Sequence, residues 1–290
     1  MRWIAVALMS LLPLSAHAAQ PEPGGIGFQP AATDIMVRLT NFHNILLWII
    51  AAIVVVVTAL LAYVIVRFNS KANKEPSKFS HNTMVEVVWT LVPVLILMFI
   101  AFFSFRELYF QETFPDVDEA EVVNIKAQGN QWNWTYFYMD AVDDAGYPLE
   151  FVSNGLQHGL PTDPAGTPDA PTNLATDLPM VVPVDTVIRV YTSASDVIHS
   201  WAVPAFGIKS DAIPGKLNES WFRVNETGVF YGQCSELCGK DHAFMPIEVH
   251  VVTREQYDAW LSRAQEDIMS AREYIAELSS DSSIKLASAR

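Results

Sequence analysis

Thiol is the scarcest chemistry in this chain. Its 290 residues hold two cysteines, Cys234 and Cys238, inside one twelve-residue run, so sulfur-based redox or metal chemistry is confined to one place. No Cys-x-x-Cys-His occurs, which excludes a fused haem domain of the c type. Positive charge is scarce too: 18 Lys plus Arg face 32 Asp plus Glu, a formal net charge of −14. Over residues 111–260 the counts are 7 and 22, so nearly all the imbalance sits there. A surface of that sign repels a phosphate backbone, so nucleic acid is not expected as a partner. It keeps a domain hydrated and also steers a basic protein towards it. No internal repeat is present.

Charge is missing altogether from two runs. Residues 45–66 are 22 uncharged positions, about 33 Å as a helix against a hydrocarbon core of about 30 Å. Residues 87–105 form a second uncharged run with Pro93 inside it, tolerated in a spanning helix where neighbours re-satisfy the freed carbonyl. These predict transmembrane helices over 45–66 and 85–106, and hence a lipid bilayer around them. The connecting segment, 67–84, carries Arg67, Lys71, Lys74 and Lys78 against Glu75, so the positive-inside rule makes it cytoplasmic. Before them, residues 1–19 read as a secretory signal: Arg2, an apolar stretch, then Ala16-His17-Ala18 with cleavage expected after Ala18 or Ala19. Residues 20–44 then form an N-terminal periplasmic segment. Both termini are then expected on the outer side of the membrane, which for the bacterial family resembled below would be the periplasmic side of the inner membrane.

The acidic remainder reads as mainly β. Residues 122–127, 186–191 and 247–252 are rich in β-branched residues and partly alternating, with Gly and Pro between them. A small antiparallel sandwich or Greek-key barrel over 107–254 suits that length. Residues 155–179 hold three Gly and five Pro and are expected to be a surface loop inserted in the domain. Residues 255–290 are expected to be helical to about 278 and frayed beyond. One strand, 131–138, reads Gln-Trp-Asn-Trp-Thr-Tyr-Phe-Tyr; at period two, Trp132, Trp134, Tyr136 and Tyr138 share a face. Such a face ordinarily builds core, the alternative being one tryptophan kept at the surface for electron transfer.

The sulfur run is Cys234-Ser-Glu236-Leu-Cys238-Gly-Lys-Asp-His242-Ala-Phe-Met245, and His199 lies upstream in Asp196-Val-Ile-His199. Thiolate, thioether and imidazole donors suit copper. A mononuclear blue-copper site needs two His, one Cys and a weak axial donor, so the second Cys is surplus to one ion and fits a pair bridged by two thiolates. A disulfide, a zinc site and a redox-active dithiol remain open on these residues, although neither zinc nor a disulfide uses the Met.

Wider motifs carry a specific resemblance. His199-Ser-Trp201-Ala-Val-Pro204, Asp211-Ala-Ile-Pro214-Gly215, and the run from Tyr231 through Cys234, Cys238, His242 and Met245 to Pro246 are joined by Glu86-Val-Val-Trp89-Thr90-Leu-Val-Pro93 and Gln131-Trp132-x-Trp134. Together, over about residues 41–260, they resemble subunit II of the haem-copper cytochrome c oxidases. The resemblance implies a cupredoxin-like Greek-key β-barrel on an N-terminal transmembrane hairpin, holding a binuclear copper centre. Its ligands would be His199, Cys234, Cys238, His242, Met245 and the backbone carbonyl of Glu236, whose carboxylate would reach Mg or Mn at the interface with subunit I. Trp132 would receive electrons from cytochrome c, whose haem edge is ringed by lysines; Asp177 and Asp196 would be docking acids. Glu86 would stand at the mouth of a proton pathway, although an acid at a helix N-terminus is also favoured by the dipole. Subunits I and III would be partners, with oxygen reduction and proton pumping located beyond this chain. Two positions depart from the family pattern: Asn133 where Tyr is usual and Phe137 where Glu is frequent. The competing class is a membrane-anchored copper chaperone or thiol oxidoreductase, which would build βαβ units around the Cys pair. A copper-free quinol oxidase subunit would have no reason to keep six ligand positions.

Overall fold

The computed structural model describes residues 17–22, 24–156 and 171–280. Most of the expected signal segment therefore lies outside the described residues; its end, His17–Ala19, forms a short strand, β1.

Two long helices form one unit of the chain. Helix α1, Asp34–Arg67, opens on a side-chain cap, with Thr33 Oγ1 accepting the Met36 N–H at 3.0 Å. Helix α2, Thr83–Glu112, opens on Asn82, whose side chain accepts from the Val85 N–H, and carries Glu86 in its first turn. Both outrun the uncharged stretches because capped helices propagate through the flanking polar residues until a terminator intervenes. Their apolar side chains, among them Val54, Leu60, Leu95 and Met98, are exposed, and mean hydropathy reaches 3.1 and 2.5 over their best windows. Surfaces that apolar need lipid rather than water around them. At one end of the hairpin Arg38 joins the helices, its Nε 2.7 Å from Glu107 and its guanidinium 4.0 Å from the Phe110 ring centroid.

The other unit is mainly β. After β1 come β2 (Val123–Asn130), β3 (Asn133–Val142), β4 (Pro148–Ser153), β5 (Met180–Pro183), β6 (Ile188–Ala194), β7 (His199–Val203), β8 (Ile208–Ala212), β9 (Asn218–Phe222), β10 (Gly228–Gln233) and β11 (Pro246–Val252). They make a five-stranded sheet in the order β4-β3-β2-β6-β9, a four-stranded sheet β1-β10-β11-β5, and a β7-β8 ribbon. The three strands expected from the sequence fall on β2, β6 and β11. The pairing is not wholly antiparallel as expected: β2 with β6, β5 with β11 and β1 with β10 run parallel. Parallel partners need a crossover, and the excursion through β3, β4 and β5 supplies one between β2 and β6.

β2 alternates strictly, burying Val123, Ile125 and Ala127. Across from it, Asn130 pairs with Asn133, so Gln131 and Trp132 form a two-residue turn and β3 starts two residues later than the expected strand 131–138. Trp134, Tyr136 and Tyr138 are fully buried, whereas Trp132 sits half-buried on the turn and does not share their face. Trp201, Phe206, Phe222 and Phe230 extend the aromatic core. Helix α3, Arg254–Glu266, begins with a Thr253/Gln256 capping box and buries Trp260 with its ring centroid 5.1 Å from that of Tyr138. The expected C-terminal helix is broken once, at Asp267, whose carboxylate caps the next helix, α4 (Ile268–Ser280), by accepting from Met269 and Ser270 N–H.

The expected N-terminal periplasmic segment and the expected surface loop both have residues packed into the β unit. Ala32 and Thr33 are woven into the β unit: Ala32 N–H donates to Ala205 O, Asn225 N–H to Ala32 O, and Thr33 Oγ1 to Phe206 O at 2.7 Å. Ile35 and Met36, in the first turn of α1, are buried there as well. Of the inserted loop, residues 157–170 lie outside the described residues, but Leu156, Ala175 and Thr176 are buried, with Thr176 N–H donating to Glu248 at 2.6 Å.

Candidate metal centre

The sulfur run is the loop of a hairpin. β10 and β11 pair antiparallel as far as Gln233 opposite Pro246, and the Cys234 N–H donates to Met245 O at 3.4 Å. The two sulfur-bearing residues at the ends of the run are thereby brought face to face. Ser235 N–H donates to Ser200 O, tying the same loop to β7, whose first residue is His199. His242 lies in a single 3-10 turn, His242–Phe244, that bends the run back to Met245.

Five side chains converge. The two Sγ atoms are 4.0 Å apart and unbonded. His199 Nδ1 lies 3.9 Å from Cys234 Sγ, and His242 Nδ1 lies 3.5 Å from Cys238 Sγ. Met245 Sδ is 3.4 Å from Cys238 Sγ, and the Cys234 thiol donates to the Glu236 carbonyl at 3.4 Å. One donor atom each from His199, Cys234 and Cys238 falls within 4.8 Å of the others, which is metal-site geometry. All three residues are buried, as is Met245. Sulfur and imidazole at this spacing fit copper by their softness, and each thiol has its own imidazole.

The thiols are not equivalent. Burial pushes the Cys234 thiol up, but hydrogen bonds from His199 and from the Ser200 and Glu236 backbones outweigh it and bring the pKa down to about 7. Cys238 is pushed up to about 12 by burial and by the neighbouring Cys234. Burial pulls the His199 pKa down, but contact with Cys234 and Asp196 raises it overall. His199 Nε2 lies 2.9 Å from Asp196 Oδ1, and a carboxylate can only accept, so the proton stays on Nε2 and Nδ1 is the nitrogen turned to the sulfurs.

Two glycines make the packing possible. A Cβ on Gly129 of β2 would meet His199 Cγ at 2.7 Å, so the imidazole lies directly on the strand backbone. Gly239 has φ +124°, and a Cβ there would come within 3.0 Å of the Trp132 ring. That close approach lets Trp132 Nε1–H donate to Cys238 O at 3.3 Å while Gln131 Nε2 donates to the same oxygen at 2.7 Å. Lys240 Nζ stands 5.5 Å from the Trp132 ring centroid.

Of the remaining expected residues, Asp196 lies against His199 while the others stand apart from the sulfurs. Glu86 is in the other unit, in the first turn of α2. Glu236 is exposed. Asp177 and Asp196 both have their carboxylates engaged: Asp177 accepts from Asn154 N–H and Nδ2, and Asp196 from Gln131, Val197 and His199. Asn133, one of the two departures from the family pattern, accepts from Asn130 Nδ2 and donates to Asn154 Oδ1, which continues to Asp177. Gln131 and Gly239 lie within the quoted motifs but had no role assigned from sequence, and Gly129 carried no sequence signal.

Known proteins resemble this chain over both of its parts. The family described as "Cytochrome C oxidase subunit II, periplasmic domain" matches residues 123–252, and "Cytochrome C oxidase subunit II, transmembrane domain" matches residues 21–107. A probable cytochrome c oxidase subunit 2 of Rickettsia felis is 43% identical over 271 residues, covering 93% of this chain and 82% of the relative. Cytochrome c oxidase subunit 2 of Cereibacter sphaeroides is 42% identical over 277 residues, covering 90% of each. The crystal structure of the periplasmic domain of subunit II of the Bradyrhizobium japonicum cytochrome oxidase is 47% identical; it aligns with 54% of this chain and 99% of that one at a TM-score of 0.44. A hairpin of apolar helices, a β domain and a sulfur-imidazole cluster thus occur in a chain that belongs to the cytochrome c oxidase subunit II family, an inner-membrane oxidoreductase subunit with a periplasmic domain and a copper centre.

Proposed function

We propose that His199, Cys234, Cys238, His242 and Met245, with the Glu236 carbonyl, hold a pair of copper ions and that this chain passes electrons from cytochrome c through them to haem in subunit I. The observation that carries this reading is the pairing of each thiol with a separate imidazole around two sulfurs 4.0 Å apart, a donor set with one member too many for a single ion. Bound there, a copper pair supplies a one-electron store with little ligand movement between its redox states.

The protein's own residues do the rest. Burial of His199, Cys234, Cys238 and Met245 keeps water from most of the donor set, and the β10–β11 hairpin fixes the separation of Cys234 and Met245. Trp132 is the electron gateway: half-buried on its turn, it reaches from the surface to the Cys238 carbonyl in one hydrogen bond. The acidic domain draws a lysine-ringed cytochrome c to that face. The exposed Glu236 carboxylate is available for Mg or Mn at the subunit I boundary, and Glu86 for proton uptake at the cytoplasmic end of α2. Subunits I and III complete the assembly that reduces oxygen. The competing reading, a copper chaperone or thiol oxidoreductase, expects helices between strands, whereas from β2 to β11 the described residues contain strands, turns and single 3-10 turns.

The test is copper stoichiometry and electron spin resonance on the full-length chain in detergent. The full chain is needed because a fragment starting near residue 111 would lack the buried Ala32, Thr33, Ile35 and Met36. Two coppers sharing one unpaired electron support the reading. One copper with single-nucleus hyperfine structure, or a disulfide without metal, overturns it. Trp132→Phe should slow oxidation of cytochrome c at least tenfold while the copper signal stays as in the wild type; an unchanged rate would remove Trp132 from the path.

A further inference from the structure

We propose that Glu248 is a positioning residue for the metal loop: its buried carboxylate clamps the neck of the inserted loop onto β11, and the neck fixes how closely Met245 stands to the copper pair. The inference rests on the copper reading of the preceding subsection and concerns what holds one donor in place.

β11 is buried along its whole length, yet two of its seven residues are ionisable, Glu248 and His250. Their side chains meet, His250 Nε2–H donating to Glu248 Oε1 at 2.7 Å. A buried pair of this kind adds little stability over apolar residues of similar size, so its place in a β core calls for another reason. The second carboxylate oxygen supplies one. Oε2 accepts the Thr176 N–H at 2.6 Å and lies 3.4 Å from the Thr176 hydroxyl. Thr176 is buried, and a buried amide without an acceptor is strongly unfavourable. His250 Nδ1 has no partner among the described residues, so the imidazole's one bond is the one that orients Glu248.

Thr176 belongs to the neck where the inserted loop leaves and rejoins the β unit. Gly155 and Thr176 bridge antiparallel, Leu156 N–H donates to Ala175 O at 2.8 Å, and Asp177 N–H donates to Asn154 O at 3.0 Å. This neck lies on the metal loop. A Cβ on Gly155 would meet Phe244 O at 2.6 Å and Pro246 Cδ at 2.7 Å, so glycine is what lets the neck backbone come down there. Phe244 and Pro246 flank Met245, which is 1% exposed with its Sδ 3.4 Å from Cys238 Sγ. On one side the Cys234 N–H holds the Met245 carbonyl; on the other the neck bears on both neighbours of Met245. Glu248 ties that neck to the strand that begins beside the donor. A carboxylate at 248 thereby sets a distance at 245 without touching any donor atom.

Glu248→Gln, Glu248→Leu and the paired variant Glu248→Leu with His250→Leu, made in the assembled, membrane-extracted oxidase, test this. The readouts are the midpoint potential of the copper centre, its electron spin resonance spectrum, thermal unfolding, and hydrogen exchange of the Leu156 and Thr176 amides. Gln keeps an acceptor for Thr176 and should behave as the wild type. Glu248→Leu should let both neck amides exchange roughly tenfold faster. It should also raise the midpoint, because a thioether that stands off donates less to the oxidised metal. The paired variant removes the unpartnered imidazole, so stability should return while the raised midpoint and fast exchange persist. Met245→Leu should raise the midpoint by itself, and adding Glu248→Leu to it should move it no further. The proposal is overturned if the potential returns with stability in the paired variant, or if Glu248→Leu leaves potential and spectrum as in the wild type. It is equally overturned if the Glu248→Leu shift adds in full to that of Met245→Leu. Should Glu248→Leu alone fail to assemble, the paired variant decides by the same criteria. Absence of copper from the wild-type complex would sink the copper reading and this inference with it, whereas a failure confined to the variants strikes the inference alone.

Discussion

Residues 234–245 supply five of the candidate donors from one loop between β10 and β11, whereas the turns at 129–132 and 195–199 supply a single donor and the hydrogen bonds that aim it. The loop is a question of spacing: once β10 and β11 pair, Cys234 and Met245 are opposed and the donors between them are close by construction. The turns are a question of register between strands far apart in the chain, such as Gly129 beneath His199 and Asp196 beneath Gln131. Donor identity can be carried by a short contiguous motif; donor orientation has to be assembled by the whole β unit.

The contrast can be broken first at the loop. Cys234→Ser and Cys238→Ser should each abolish the copper signal and reduce oxidation of cytochrome c to background, measured by metal analysis and turnover in membranes. Retention of a full signal in either variant would mean that its sulfur is not a donor, and the loop would lose its claim to the metal.

A smaller effect is expected from the strand below. Gly129→Ala places a methyl 2.7 Å from His199 Cγ, so the ring or the strand must move. Overpacking of this kind costs about 1–3 kcal/mol, and thermal unfolding of the full chain should show it together with weakened, not abolished, copper retention. A variant with native stability and native copper would show that the imidazole is free to adjust, erasing the distinction between loop and frame.

The smallest effect lies within the loop and is a matter of pH. In the copper-free chain the Cys234 pKa falls from the ordinary thiol value of 9.0 to about 7, whereas that of Cys238 rises to about 12. For an acid with a depressed pKa, the thiolate's contribution to stability is fully present above the ordinary value and is lost as pH falls through about 7. Alkylation follows the thiolate, so labelling of Cys234 should rise roughly tenfold between pH 6 and pH 8 with Cys238 almost untouched. Peptide mapping reads this directly; equal labelling of both would show that neighbouring His199 does not favour one sulfur.

Sequence and structure agree where the signal is contiguous. The uncharged runs announced α1 and α2, the β-branched runs announced β2, β6 and β11, and the sulfur motif announced the β10–β11 loop where thiols, thioether and imidazole converge. Agreement fails where a side chain's fate depends on a partner far along the chain. Period two put Trp132 with Trp134, but pairing of Asn130 with Asn133 makes Trp132 a turn residue, and nothing in the local pattern contains that pairing. Asp196 was expected as a docking acid from the family resemblance alone; its bonds to Gln131, Val197 and His199 depend on where the β2–β3 turn comes to lie. Parallel pairing of β2 with β6 was likewise invisible, since strand direction is set by crossovers and not by composition.

The segment around Thr33 bears on how such a chain is made. Its hydroxyl donates to Phe206 O, 173 positions later in the chain, and Ala32 accepts from Asn225 N–H. Synthesis runs from the N-terminus, so Ala32 and Thr33 emerge long before their partners exist. Both membrane helices are completed in between, and only after residue 225 has followed them can the β unit close over its own beginning. Contacts of such sequence separation are the slowest to form. Anchoring in the membrane thus precedes completion of the β core.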